Sequence, residues 1–103
     1  MGSMGSRLTK RRSRGRVTKR KLLAEFAGEG LVAHEWSSPP GEYFDWHTHP
    51  FRDVIRCLSG SIVFHLHEGD MALTPGDRFE MDPNTEHSAT VGAEGVTCLE
   101  SQH

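Results

Sequence analysis

The segment Asp45–Asp53 reads DWHTHPFRD, two imidazoles two residues apart and a carboxylate four residues beyond the second. In an extended strand, side chains at i and i+2 share a face, so His47 and His49 would project together at chelate spacing. Pro50 has no N–H for a strand ladder, so the strand ends or bends there and Asp53 can return toward the pair from a neighbouring strand. Further along, His87 follows the turn sequence Asp82-Pro83-Asn84 and opens the run HSATV, whose inward positions would be His87, Ala89 and Val91. Three imidazoles and a carboxylate meeting at one mouth suit a single borderline divalent ion per chain: iron, manganese, nickel, copper or zinc. A second His-x-His, His65 and His67, alternates with Phe64 and Leu66 and should therefore point outward. His34 and His103 have no partner at chelate spacing and read as structural or solvated.

The elements that must position these groups are short runs rich in Val, Ile, Phe, Thr and Leu from Leu31 onward. They alternate with the turn signals SSPPG, LSG, HEGD, TPGD, DPN and VGAEG, which predicts an all-β sandwich or barrel of six to eight strands. Within DVIRCLSGSIVFHLH, Ser59-Gly60 reads as a two-residue hairpin turn with Leu58 opposite Ser61. That register places Asp53, Ile55 and Cys57 inside with Ile62, Phe64 and Leu66. Reading GAEG as a second hairpin, between HSATV and VTCLE, sets Glu100 opposite His87, where it could orient an imidazole N–H. Ahead of the strands, KLLAEFAGEG predicts a short helical turn with Leu22, Leu23 and Phe26 on one side, stopped by Gly28 and Gly30.

A chain of 103 residues has room for one modest core. Met1–Lys21 holds nine of the twelve Lys and Arg residues and none of the fourteen acids, and predicts a disordered basic tail, residues 1–21, ahead of a folded domain, residues 22–103. Its charge would support salt-sensitive nucleic-acid binding, but it lacks aromatic residues for base stacking and the body is acidic, so nucleic acid is not the expected partner. MGSMGS formally fits an N-myristoylation start, and the same letters are a common expression leader. Cys57 and Cys98 lack CxxC spacing and read as reduced core thiols. No apolar run reaches membrane-span length, and the default compartment is cytoplasmic.

With these residues in place, the sequence resembles the cupins over roughly Trp36–Glu100. Gly41, His47, His49 and Gly60 stand at the spacings of the first cupin motif, with Asp53 where glutamate is expected. Gly76 and His87 match the second, with Asp82 at its proline, Asn84 at its second glycine and Val91 at its asparagine. Asn tolerates a left-handed backbone better than most residues after Gly. The resemblance implies a single jelly-roll β-barrel with one metal held by His47, His49, Asp53 and His87. The shorter Asp53 could bind directly, bind through water, or leave a three-histidine site with an extra open position.

The resemblance implies an enzyme from a range that spans dioxygenases, isomerases, decarboxylases and lyases; because a histidine-rich site suits redox iron or copper, an oxygen-dependent, dioxygenase-like reaction on a small organic molecule is expected, with Glu100 or Tyr43 as the proton-transfer group. The alternative is a non-catalytic module that binds or senses a small ligand. A homodimer is expected through an outer face bearing Val54, Leu58, Val63, His65 and His67.

Overall fold

The structure, a computed structural model, describes residues 6–10 and 16–103. Its elements are β1 (Ser6–Thr9), α1 (Lys19–Gly28), β2 (His34–Ser38), β3 (Tyr43–His47), β4 (Asp53–Leu66), β5 (Gly69–Leu73), β6 (Arg78–Met81) and β7 (His87–Gln102). All seven strands belong to one antiparallel sheet.

β4 and β7 are the frame. They pair along their whole lengths, from Asp53 opposite Gln102 to Leu66 opposite His87. Neither is the hairpin that its glycines suggested. Ser59-Gly60 does not reverse the chain: β4 runs through it, and Gly60 (φ 74°) makes a bend. GAEG likewise lies inside β7, whose two halves pair with β4 instead of with each other. The ladder shifts between Cys57 and Ser59 and again between Gly60 and Ile62. An extra residue in a strand switches which side chains face inward. For this reason the expected interior set survives the wrong turn: Ile55, Cys57, Ile62, Phe64 and Leu66 all lie in one buried cluster.

The bends give each long strand two halves with different neighbours. β6 and β2 flank the half containing Asp53 and Glu100, while β5 and β3 flank the half containing Leu66 and His87. The halves pack face to face through residues such as Phe64 and Phe79, whose ring centroids are 4.9 Å apart. The expected closed jelly-roll barrel is not formed. The strand order β1-β6-β4-β7-β2 runs from one edge to another, with β3 and β5 attached to the other halves of β7 and β4. Closure requires the two edge strands to pair. Here β1 and β2 pair only with β6 and β7 among the described residues, and the fold is an open, folded-over sheet.

α1 covers the outer face of one half. Thr18 caps it by accepting from the Lys21 N–H at 3.2 Å, and Leu22 and Phe26 pack on Val54 and Leu99. Val54 is 1% exposed and Leu58 joins the same cluster, so two of the apolar residues expected at a dimer face lie against this helix instead.

Part of the basic segment expected to be disordered carries structure. Ser6–Thr9 pair with β6, and Lys19 to Lys21 begin α1, whereas residues 1–5 and 11–15, with most of MGSMGS, lie outside the described residues. Lys10 Nζ meets the buried Asp77 carboxylate at 2.6 Å and the Ala72 carbonyl at 2.8 Å. Lys10→Ala should therefore lower stability by about 1 kcal/mol, since Asp77 loses its cation but keeps the Thr74 N–H and hydroxyl. Urea denaturation checks this. An unchanged midpoint would mean that the Lys10–Asp77 ion pair contributes nothing to stability.

Candidate metal centre

Three elements bring the histidines together. His47 ends β3 and His87 opens β7, and the two stand directly opposite each other in the ladder. His49 is not on the strand: β3 stops at His47, and His49 sits in the loop before β4. That loop is tied down at several points. Asn84 donates its N–H to the His49 carbonyl at 2.6 Å, from a left-handed conformation (φ 64°) that is unique among the described non-glycine residues. Arg52 exchanges backbone hydrogen bonds with His103 at 2.9 Å and reaches Glu80 and Asp82 through its guanidinium. The turn before His87 thus fixes the backbone of His49.

The imidazole nitrogens of His47, His49 and His87 lie within 4.8 Å of one another. His47 Nδ1 contacts the Asp45 carbonyl at 2.6 Å and His87 Nδ1 the Thr85 carbonyl at 2.8 Å. A carbonyl can only accept, so each ring carries its proton on Nδ1 and leaves the Nε2 lone pair available to an ion. Burial, more than any other cause, holds His49 and His87 below the ordinary histidine range, so both are neutral near pH 7 as ligation requires. The cluster can chelate a single metal ion.

Asp53 stands at its edge, with Oδ2 3.8 Å from His49 Nε2, and is 2% exposed. Its Oδ1 is buried without a hydrogen-bond partner. A neutral ligand set beside an orphaned carboxyl oxygen fits a cation. Without an ion, burial first, then the hydrogen bond and charge of neighbouring Glu100, push Asp53 from 3.8 up to about 8. A carboxyl raised in the fold costs stability as pH climbs from its unfolded value toward its folded one, because only the unfolded chain ionises there. Asp53→Asn should therefore stabilise the metal-free protein at neutral pH and flatten its stability profile between pH 3.8 and about 8. Thermal unfolding across that range decides it; an unaltered slope would show that Asp53 is ionised in the fold.

The histidines form part of the wall of a cavity of about 290 Å³ between the two halves of the sheet. Glu100 lines it too, though not from the position opposite His87 that was expected. It pairs with His34 and Ile55 across the sheet, not with His87. Trp36 Nε1 donates to Glu100 Oε1 at 2.8 Å, and Gln102 Nε2 donates to Oε2 at 3.1 Å. Neither donor is apparent from motif spacing. Tyr43 is not brought to the site: it is 54% exposed and does not line the cavity, whereas Phe44 does. An irregularity between Phe44 and His47 inserts a residue, so Phe44 and His47 face inward together and Tyr43 faces out. His34, read as structural or solvated, also lines the cavity.

His65 and His67 point outward. His65 bonds to Asp70 and Thr90, each at 2.8 Å, while His67 bonds to Glu86 and stacks on Trp46.

A fold of two bent antiparallel strands with three histidines at one mouth agrees with the comparisons. The sequence profile of the cupin domain matches residues 34–99, and the chain belongs to the cupin family. Among solved structures, one of DMSP lyases superposes with a TM-score of 0.63 at 28% identity, over 71% of this chain and 38% of that one. A conserved protein with a double-stranded β-helix domain from Klebsiella pneumoniae subsp. pneumoniae MGH 78578 gives a TM-score of 0.60 at 26% identity, covering 69% of this chain and 64% of that one. A cupin domain from Bordetella pertussis Tohama I aligns over 99% of this chain and 96% of that one, with a TM-score of 0.55 and 21% identity. The chain thus spans well under half the length of the DMSP lyase it resembles. Comparison with curated proteins returns no match. Among the described residues no helix is long and apolar enough to cross a membrane.

Proposed function

We propose that this cupin is a metal-dependent enzyme that transfers protons on a small organic acid held in the cavity. The observation that supports this reading most is the convergence of three imidazoles, two with fixed tautomers, on the wall of a cavity that also holds two carboxyls. His47, His49 and His87 would hold the ion, which when bound supplies a Lewis acid for a substrate oxygen. Phe44, Ile55, Phe64 and Met81 offer apolar wall for the hydrocarbon part of a substrate. Glu100, gripped by Trp36 and Gln102, would take a proton from the substrate. Asp53 would hold a proton beside His49. The cavity volume suits a ligand smaller than a drug-sized molecule.

A dioxygenase-like reaction is the second reading, favoured by the all-imidazole cluster, which suits redox iron or copper. Iron-loaded protein incubated with a panel of small carboxylic acids, with and without dioxygen, separates them. Product formed without oxygen supports proton transfer; product formed only with oxygen uptake supports the dioxygenase-like reading. Tight ligand binding with no product under either condition would overturn both and leave a sensing module.

A further inference from the structure

We propose that Cys57 and Cys98 are a site of oxidative modification, a thiol pair that closes to an intrachain disulfide when a small hydroperoxide enters through the cavity. The two residues stand directly opposite each other on β4 and β7. Cys57 turns both its backbone groups the other way: its N–H donates to the Asp77 carbonyl at 3.2 Å, and its carbonyl accepts from the Gly76 N–H at 2.8 Å. Toward β7 it is therefore a non-hydrogen-bonded position of an antiparallel ladder, where opposite Cα atoms approach to about 4.5 Å and side chains are closest. That spacing falls at the short end of the roughly 4.4–6.8 Å that a disulfide spans. The side chains share the interior face and contact each other, and both residues are 0% exposed.

A buried thiol is ordinarily inert because nothing reaches it. Here a cavity lies next to the pair in the sheet. Ile55 and Glu100, each two residues away on the same inward face, line the cavity, as does Trp36, which lies opposite Cys98 on β2. One sulfur takes the terminal oxygen of the hydroperoxide and releases an alcohol, or water when the oxidant is hydrogen peroxide. The other sulfur then attacks the resulting sulfenic sulfur and expels water. Both thiols lose their protons and one electron each, and one O–O bond is reduced.

The bond would pin β4 to β7 beside the first shift in their ladder, in the row of Trp36, whose indole N–H donates to Glu100. The test is hydrogen peroxide treatment of the reduced full chain, followed by intact mass measurement and thiol titration in denaturant. The expected product is a monomer lighter by two hydrogens, with both thiols lost and both regained on reduction. Digestion should yield one linked pair of peptides carrying positions 57 and 98. In a Trp46→Phe chain, where Trp36 is the sole tryptophan, its fluorescence should fall on oxidation and recover on reduction. Two thiols still titratable after peroxide, or a chain heavier by oxygen with no hydrogens lost, would overturn the proposal.

Discussion

Replacing any one of His47, His49 or His87 by alanine should empty the metal centre, with affinity falling by more than the roughly 10–100-fold that follows loss of an outer-shell partner. Each removal takes away a neutral nitrogen from a set of three, and no other described histidine, cysteine or carboxylate completes the cluster. Asp53→Ala should be milder, because Asp53 approaches the site only beside His49. Asp53→Glu, which restores the usual residue of the first cupin motif, should hold metal at least as well as the starting protein. His65→Ala and His67→Ala should leave metal content unchanged, their partners being Asp70, Thr90 and Glu86 on the outer face. Titration of a divalent ion into each purified variant gives the ranking. A site emptied by His65→Ala or His67→Ala would contradict the inward and outward assignment of β4.

The second large effect belongs to the fold. At Gly60 an added methyl carbon would lie 2.0 Å from the Gly95 carbonyl oxygen and 3.0 Å from Val96 Cα, both backbone atoms of β7, and the residue's φ of 74° is itself strained for any side chain. Neither strand can yield without opening the bend that sets the two halves face to face. Gly60→Ala should therefore destabilise by about 3 kcal/mol or more, in the range reserved for backbone strain combined with a steric clash. Gly28→Ala is the control: nothing lies within 4 Å of its added carbon, so stability should hold or rise slightly. If Gly60→Ala unfolds at the same urea concentration as the parent chain, the bend is not what organises the sheet.

Gly60 also explains what could be read from the sequence and what could not. The spacing of His47 and His49 in the first motif, and of His87 after its turn in the second, pointed to the three histidines that converge, because within each motif the spacing is local and specific. The left-handed Asn84 was legible for the same reason, since its side chain is one of the few that tolerate that conformation. The turns were not. Ser59-Gly60 and Gly92–Gly95 carry the composition of hairpin loops, yet whether a glycine reverses a strand or bends it depends on what the flanking residues pair with, a non-local fact. Glu100 reached the cavity through pairing with Ile55 and His34, though the sequence had argued it from an opposition to His87 that does not exist. Tyr43 failed because one irregularity before His47 reverses the inward set of β3, and no residue type in Phe44–Trp46 announces it. An open sheet where a barrel was expected has the same origin: local pattern counts strands but does not say whether β1 and β2 meet.

Three imidazoles, and no thiolate, are expected to hold one ion. X-ray absorption at the metal edge of zinc-loaded protein tests it most directly. The predicted spectrum shows imidazole scattering from His47, His49 and His87, with Zn–N distances of about 2.0–2.1 Å and further oxygen ligands at similar range. A spectrum with fewer than three imidazoles, or with sulfur at about 2.3 Å, would contradict the account.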